Sequence, residues 1–187
     1  MYTLLLIIFS MIVSLILTPI VIKVSHKLGI VDQPNFRKVH TKPISVLGGT
    51  VILISFLVGI WLGHPIETEV KPLVIGSVLI YLVGLIDDIY DLKPIIKLLG
   101  QVIAALVVVY YGVTIDFISL PIGPTIHFGI LGIPITVIWI VAITNAINLI
   151  DGLDGLASGV SMIALMTIGF IAILQANIFI MMICSVL

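Results

Sequence analysis

Continuous apolar runs, separated by short polar stretches, dominate this chain. A helix that crosses the hydrocarbon core of a bilayer needs about 20 apolar residues, and most of the runs are close to that length. Closed β-barrels need polarity that alternates along strands of about 10 residues, whereas these runs are apolar throughout. The pattern predicts an all-α, polytopic transmembrane helical bundle with about six complete spans and a truncated seventh, at residues 2–24, 44–63, 72–86, 95–111, 128–149, 156–174 and 178–187.

The composition agrees with lipid as the main solvent of the chain. Of the 187 residues, 61% are hydrophobic and 9% are charged, and the mean hydropathy is +1.40. Soluble domains carry about 25% charged residues, so no soluble second domain is predicted and residues 1–187 are read as one transmembrane domain. The net charge of −1 gives no reason to expect nucleic acid as a partner. The single cysteine excludes a disulfide framework.

Two stretches outside the long runs carry further expectations. Residues 112–127 are rich in glycine and proline and predict an outer turn or hairpin. The last run, 178–187, is about half a span, which would leave unpaired backbone groups in lipid. We therefore expect the chain to be the front part of a longer fold.

The distribution of charge predicts an orientation in the membrane. Seven of the eight basic residues flank the first loop or follow the third run, and only Lys71 lies on the other side. The positive-inside rule makes the side with the basic residues cytoplasmic and places the N-terminus outside. The same side collects six of the nine acidic residues, Asp32, Asp87, Asp88, Asp91, Asp151 and Asp154.

The third loop, within GLIDDIYDLKPIIK, carries adjacent carboxylates at Asp87 and Asp88. Such a pair is costly near lipid, and a divalent cation would offset the repulsion. Mg²⁺ takes oxygen ligands and usually bridges to substrate phosphates. Asp91 lies one turn further, on the same face if the helix continues, and Lys93 and Lys97 supply positive charge for a diphosphate. The alternative is an interfacial cap with solvated charges.

The fifth loop, NAINLIDGLDGLASG, repeats a polar residue every three positions, at Asn145, Asn148, Asp151 and Asp154. On a helical segment this spacing brings successive members close together. The set could bind a metal or the edge of a nucleobase. The alternative is a glycine-rich turn, in which Asn and Asp are ordinary residues.

The first loop, between about Ser25 and Pro43, clusters cations at Arg37, Lys38, His40 and Lys42. They could neutralise a phosphate-rich soluble substrate, or they could fix orientation and meet anionic lipid headgroups. The loop alone favours neither.

Three cytoplasmic segments together, RKVHTKPISVLGG, GLIDDIYDLKPIIKLLGQ and NAINLIDGLDGLASG, carry a family resemblance. The chain resembles the polyprenyl-phosphate N-acetylhexosamine-1-phosphate transferases through essentially its whole length. It is most similar to the bacterial branch that uses UDP-GlcNAc, in particular to the enzymes that start wall teichoic acid. The branch that uses UDP-MurNAc-pentapeptide typically has Lys in place of Asp91 and a TPTMGG-like stretch in place of PISVLGG.

The resemblance implies a reaction and a cofactor. Undecaprenyl phosphate would attack the β-phosphorus of UDP-GlcNAc and give undecaprenyl-diphosphate-GlcNAc and UMP. The reaction would need Mg²⁺, with Mn²⁺ as a possible substitute, at the cytoplasmic face of a bacterial plasma membrane. Phosphoryl transfer depends mainly on positioning and charge stabilisation, which suits a cationic cleft at a membrane surface.

The resemblance also implies roles for individual residues. Asp87 would deprotonate or orient the lipid phosphate and Asp88 would support it and the metal, while a covalent role for either stays open. Asn148 matches a metal ligand, as does Asp88. The remaining matches are substrate-binding positions: Asp151 and Asp154 in the nucleotide pocket, Lys97 at the diphosphate, and Lys38, His40 and Asp91 in the same cleft.

Two family features are missing from these residues, a GD-containing motif that completes the metal site and a later basic or His-containing loop for the sugar nucleotide. If the chain were complete, we would expect little transferase activity. Other classes fit less well. A transporter would place charges inside the spans, and an intramembrane aspartyl protease would bury its two Asp residues there. A CDP-alcohol phosphotransferase needs further spaced Asp residues, and prenyl synthases are soluble. Small residues such as Gly76 and Gly84 leave a homodimer possible.

Overall fold

A computed structural model of the chain describes residues 2–33, 43–63, 67–120, 122–153 and 155–187. Their main elements are α-helices, which confirms the all-α prediction. The helices are α1 Tyr2–Leu28, α2 Gly48–Gly63, α3 Glu67–Tyr90, α4 Pro94–Tyr110, α5 Gly132–Ile150, α6 Leu156–Leu174 and α7 Ile178–Val186. Four short strands are β1 Val31–Asp32, β2 Ile44–Ser45, β3 Phe117–Ser119 and β4 Thr125–His127, and a 3-10 turn covers Gly129–Leu131.

The helices have the lengths and composition of a polytopic membrane protein. Within the described residues, four are long and apolar enough to cross a bilayer, at Thr3–Leu28, Val70–Tyr90, Gly129–Ile150 and Leu156–Leu174. Two further apolar helices, α2 and α4, have 16 and 17 residues. At 1.5 Å per residue these two reach about 25 Å, somewhat less than a hydrocarbon core of about 30 Å. The nine residues of α7 form the short seventh element.

The connection between α4 and α5 is a β-hairpin, as predicted for residues 112–127. Strand β3 pairs antiparallel with β4, with Phe117 opposite His127 and Ser119 opposite Thr125. The backbone amide of Phe128 donates to the carbonyl of Asp116 at 2.8 Å and closes the base of the hairpin. The outer location of this hairpin stays a prediction. A smaller antiparallel pair, β1 with β2, flanks the first loop.

The chain forms two compact units. The first consists of Met1–Glu67 and Asp151–Leu187, and the second of Thr68–Ile150. In the first unit, α1 packs on α2 and α7, and α6 packs on α7. Gly59 provides the close approach there, because its α-carbon faces the side chains of Val186 and Ser10. The assignment of residues 1–187 to one domain stays a prediction.

In the second unit α4 packs on α5, and glycines allow α3 to approach α4. A Cβ placed on Gly100 of α4 would lie 2.7 Å from Cγ2 of Val83 on α3. A Cβ placed on Gly76 of α3 would lie 2.5 Å from Cγ2 of Val108 on α4. The two helices therefore meet through reciprocal glycine–valine contacts, a close packing that small residues permit in membrane bundles.

This contact predicts different effects for two similar substitutions. Gly100→Ala is expected to destabilise the fold by about 1–2 kcal/mol, because the stiff β-branched Val83 must shift to admit the methyl group. Gly84→Ala is the matched control, since a Cβ there meets nothing within 4 Å and alanine improves helix propensity by up to about 1 kcal/mol. Thermal unfolding in detergent compares the two. A midpoint for Gly100→Ala equal to or above that of Gly84→Ala would contradict the close contact.

Candidate functional site

The site begins where α3 ends. Asp87 and Asp88 lie in the last turn of α3, which extends beyond the apolar run that predicted it. The backbone amide of Asp91 donates to the carbonyl of Asp87 at 2.8 Å, and Asp91 has a φ of 49°. This is the left-handed cap that glycine usually provides and that Asp tolerates better than most residues. The helix therefore stops at Tyr90. Asp91 was expected to share the face of Asp87 only if the helix continued, and it does not continue.

A proline then starts the next helix and sets the position of a lysine. Lys93 is extended, with φ −60° and ψ 138°, and Pro94 occupies the first turn of α4. An extended residue before proline and a proline at a helix start are both favoured conformations. Lys97 follows on α4 close to this start. A cation is disfavoured near a helix N-terminus, so Lys97 needs anionic or polar partners.

Lys97 has two such partners on two other helices. Its Nζ donates to Oδ2 of Asp87 on α3 at 2.7 Å and to Oδ1 of Asn148 on α5 at 3.0 Å. The side chains of Lys97 and Asp87 are each 19% exposed, so this charge-assisted pair is shielded from water without being sealed from it. One ammonium group thus joins three helices, and two oxygen acceptors from different helices converge on it.

A second polar contact lies one helical turn deeper between α4 and α5. Asn145 Nδ2 donates to Oε1 of Gln101 at 2.6 Å, and the return bond from Gln101 Nε2 to Asn145 Oδ1 is long, at 3.5 Å. Asn145 Nδ2 also donates to the carbonyl of Val141 on its own helix at 2.8 Å. Gln101 is 2% exposed and is among the largest fully buried side chains described.

The polar set predicted from the sequence included Asn145 but not Gln101. The signal was its spacing, because Gln101 follows Lys97 by four residues and both must lie on the same face of α4. Asn145 and Asn148, three residues apart, share a face of α5 in the same way. The two contacts form successive rungs between α4 and α5, which run antiparallel.

The other predicted site residues are exposed or lie outside the described residues. Asp88 is exposed in the last turn of α3, Asp91 is exposed at the end of that helix, and Asp151 is exposed in the turn after α5. Lys38, His40 and Asp154 lie outside the described residues. The structure thus brings together Asp87, Lys97 and Asn148, and the roles assigned to all these residues stay predictions.

The donor chemistry fits a hard divalent cation. Asp87, Asp88 and Asn148 offer only oxygen ligands, which Mg²⁺ prefers. In the part of the chain that the structure describes, no group of three or more His, Cys, Asp or Glu side chains could hold a metal ion by itself. That Asn148 and the carboxylates together hold a cation stays a prediction, and Mg²⁺ usually keeps further positions for water or phosphate.

Comparison with known proteins assigns the family. The family model for glycosyl transferase family 4 matches residues 71–187, more than half of the chain. The chain belongs to glycosyl transferase family 4. Both rungs between α4 and α5, and Asp87 with them, lie inside the matched range.

Individual proteins are also similar to the chain. A probable undecaprenyl-phosphate N-acetylglucosaminyl 1-phosphate transferase of Bacillus subtilis is 40% identical over 88% of this chain and 46% of its own length. An undecaprenyl-phosphate alpha-N-acetylglucosaminyl 1-phosphate transferase of Thermotoga maritima is 32% identical over 84% of this chain and 49% of its own length. A decaprenyl-phosphate N-acetylglucosaminephosphotransferase of Mycolicibacterium smegmatis is 32% identical over 76% and 38%. The chain spans about half the length of such relatives, or less.

Proposed function

We propose that this family 4 protein transfers GlcNAc-1-phosphate from UDP-GlcNAc to undecaprenyl phosphate and releases UMP. The observation that carries the proposal is the convergence of Asp87 and Asn148 on the Lys97 ammonium. Phosphoryl transfer between two anions needs fixed positive charge and oxygen ligands for a metal at one place. The names of the relatives in Bacillus subtilis and Thermotoga maritima contain undecaprenyl phosphate and N-acetylglucosaminyl 1-phosphate, which supports the proposed acceptor and transferred group.

The proposed step is a direct displacement at the β-phosphorus of the donor. An oxygen of undecaprenyl phosphate forms a bond to this phosphorus, and the bond to the oxygen that bridges the two phosphates breaks. That oxygen leaves with UMP, and the lipid retains a diphosphate linked to GlcNAc. Asp87 accepts the proton of the acceptor phosphate. The Lys97 ammonium then redirects part of its hydrogen bonding from Asp87 to the diphosphate.

Bound Mg²⁺ would neutralise the developing charge on the diphosphate oxygens. Asn148 and Asp88 are the residues that would hold it, and Mn²⁺ has similar ligand preferences. Asp151, with Asp154, Lys38, His40 and Asp91, would contact the nucleotide or sugar. The loops predicted to carry these residues would face the cytoplasmic side of a bacterial plasma membrane, with the N-terminus outside. The product would start a cell-wall glycopolymer such as wall teichoic acid.

The test is UMP release by the full encoded protein purified in detergent. We expect release only when UDP-GlcNAc, undecaprenyl phosphate and Mg²⁺ are all present, complete loss on chelation, and recovery with added Mg²⁺ or Mn²⁺. Asp88→Asn should lower the rate by about 10²-fold or more, because it removes a metal-supporting carboxylate. Faster UMP release from UDP-MurNAc-pentapeptide than from UDP-GlcNAc would transfer the assignment to the peptidoglycan branch. Absence of release from both donors would contradict the proposed reaction.

A further inference from the structure

The amide pair of buried Gln101 and half-buried Asn145 is the feature that the proposed reaction does not use. We propose that this pair sets the register of α4 on α5 and so positions Lys97 and Asn148 for phosphoryl transfer. The expected effect on catalysis rests on the proposed function, whereas the register of the two helices can be measured without activity. Gln101 and Asn145 are positioning residues in this account, because they act through the neighbouring rung.

Burial makes the pair demanding in geometry. A primary amide placed away from water is costly unless it is hydrogen-bonded, and Gln101 is 2% exposed. Asn145 Nδ2 uses its two hydrogens on Oε1 of Gln101 and on the carbonyl of Val141. The second bond ties the side chain of Asn145 to its own helix, so that its amide can meet Gln101 in one orientation.

The pair therefore specifies one arrangement of the two helices. Apolar side chains in lipid tolerate small sliding and rotation, since any apolar contact replaces another. A slide of one residue, about 1.5 Å along α4, would separate Gln101 Oε1 from Asn145 Nδ2. Buried polar contacts between helices are known to fix register in this way.

The neighbouring rung cannot fix the register by itself. Lys97 has a flexible four-carbon side chain, and Asn148 is exposed, so their 3.0 Å contact can follow small shifts of the helices. Lys97 lies four residues from Gln101 on α4, and Asn148 lies three residues from Asn145 on α5. A shift of the helices at Gln101 and Asn145 therefore also displaces the Lys97 ammonium and the Asn148 amide.

The kinetic test uses Gln101→Leu, Asn145→Leu and the exchanged double variant Gln101→Asn with Asn145→Gln. Each single variant is expected to lower kcat per folded protein by about 10- to 100-fold, since displacement of reacting groups by about 1 Å has effects of that order. KM for UDP-GlcNAc should change by less than about threefold. The exchanged variant retains two complementary amides of the same summed length and should recover at least about a tenth of the wild-type kcat. Gln175→Leu, an exposed position at the end of α6, is the control and should leave kcat unchanged.

A spectroscopic test reads the register without turnover. Spin labels attached at Lys97→Cys and Asn148→Cys, with Cys184 and any other native cysteine replaced by serine, report the distance between α4 and α5 by dipolar broadening. The spectrum should give one narrow distribution of distances between the labels, and Gln101→Leu should broaden this distribution. A narrow, unchanged distance in Gln101→Leu would overturn the register role, as would leucine variants that only lose thermal stability while kcat stays within about twofold. If the wild-type protein releases no UMP, the proposed function fails, and the spectra still decide the register.

Discussion

Replacing Lys97 by methionine is expected to lower UMP release by about 10³-fold. The ammonium is the group that joins Asp87, at 2.7 Å, to Asn148, at 3.0 Å. Its loss leaves two oxygen acceptors on different helices without their shared donor, and it removes the fixed charge that a diphosphate would meet. Loss of a single preorganised donor to developing charge costs about 10² to 10³ in kcat, and the loss of full charge belongs at the upper end. Lys97→Arg should rescue poorly, because the planar guanidinium cannot take the place of a compact ammonium.

Lys71→Met is the matched control for this prediction. Lys71 is an exposed lysine on α3, sixteen residues before Asp87, which at 1.5 Å per residue is about 24 Å along the helix. Its replacement should leave the rate of UMP release unchanged while altering net charge by the same amount. Equal losses in Lys71→Met and Lys97→Met would attribute the effect to charge in general. A rate for Lys97→Met within about threefold of wild type would contradict the role given to the ammonium.

Asp87→Asn is expected to lower kcat by about 10³-fold, within the range of about 10² to 10⁴ that general-base catalysis supplies. The substitution preserves size and removes both the proton acceptor and the charge that pairs with Lys97. Because the two residues share one contact, the double variant Asp87→Asn with Lys97→Met should be little slower than the slower single variant. UMP release measured per mole of folded protein, with saturating donor and acceptor, gives these rates.

The control is Asp116→Asn, the same substitution at a residue next to the β3–β4 hairpin. There Asp116 accepts a hydrogen bond from the Thr114 hydroxyl at 2.7 Å. Its rate should match wild type. The same preparation separates two mechanisms. With UDP-GlcNAc alone, direct displacement gives no UMP, whereas a covalent aspartyl intermediate would give a burst of about one UMP per active site. Such a burst, or an Asp87→Asn variant with wild-type kcat, would contradict Asp87 as the base.

The sequence predicted the helices because lipid imposes a simple rule on composition. Continuous apolar runs must be helical where backbone groups have no water to bind, and the runs at 2–24, 95–111 and 156–174 lie within about four residues of α1, α4 and α6. The run at 72–86 was too short, because α3 continues through Asp87 and Asp88 to Tyr90. Hydropathy cannot show this, since the last turn of α3 is polar and the left-handed residue that stops the helix is an aspartate.

The arrangement of the site was only partly predictable. The predicted topology puts Asp87, Lys97 and Asn148 on one side of the membrane. The contact between Lys97 and Asn148 joins residues 51 positions apart, and no periodicity encodes it. Gln101 was overlooked because one amide within an apolar run hardly changes its hydropathy. The role that we propose for Gln101 depends on its contact with Asn145, which is 44 positions away.

The most direct measurement follows the β-phosphate of the donor. UDP-GlcNAc labelled with ³²P at the β-position is incubated with the full encoded protein, undecaprenyl phosphate and Mg²⁺, and the lipid and aqueous products are separated. Transfer of GlcNAc-1-phosphate predicts that the label enters the lipid fraction in equal amount to the unlabelled UMP released, and that Lys97→Met lowers both by about 10³-fold. Label that remains in water as UDP, with unlabelled GlcNAc on the lipid, would show transfer of the sugar alone and would contradict phosphoryl transfer at this site.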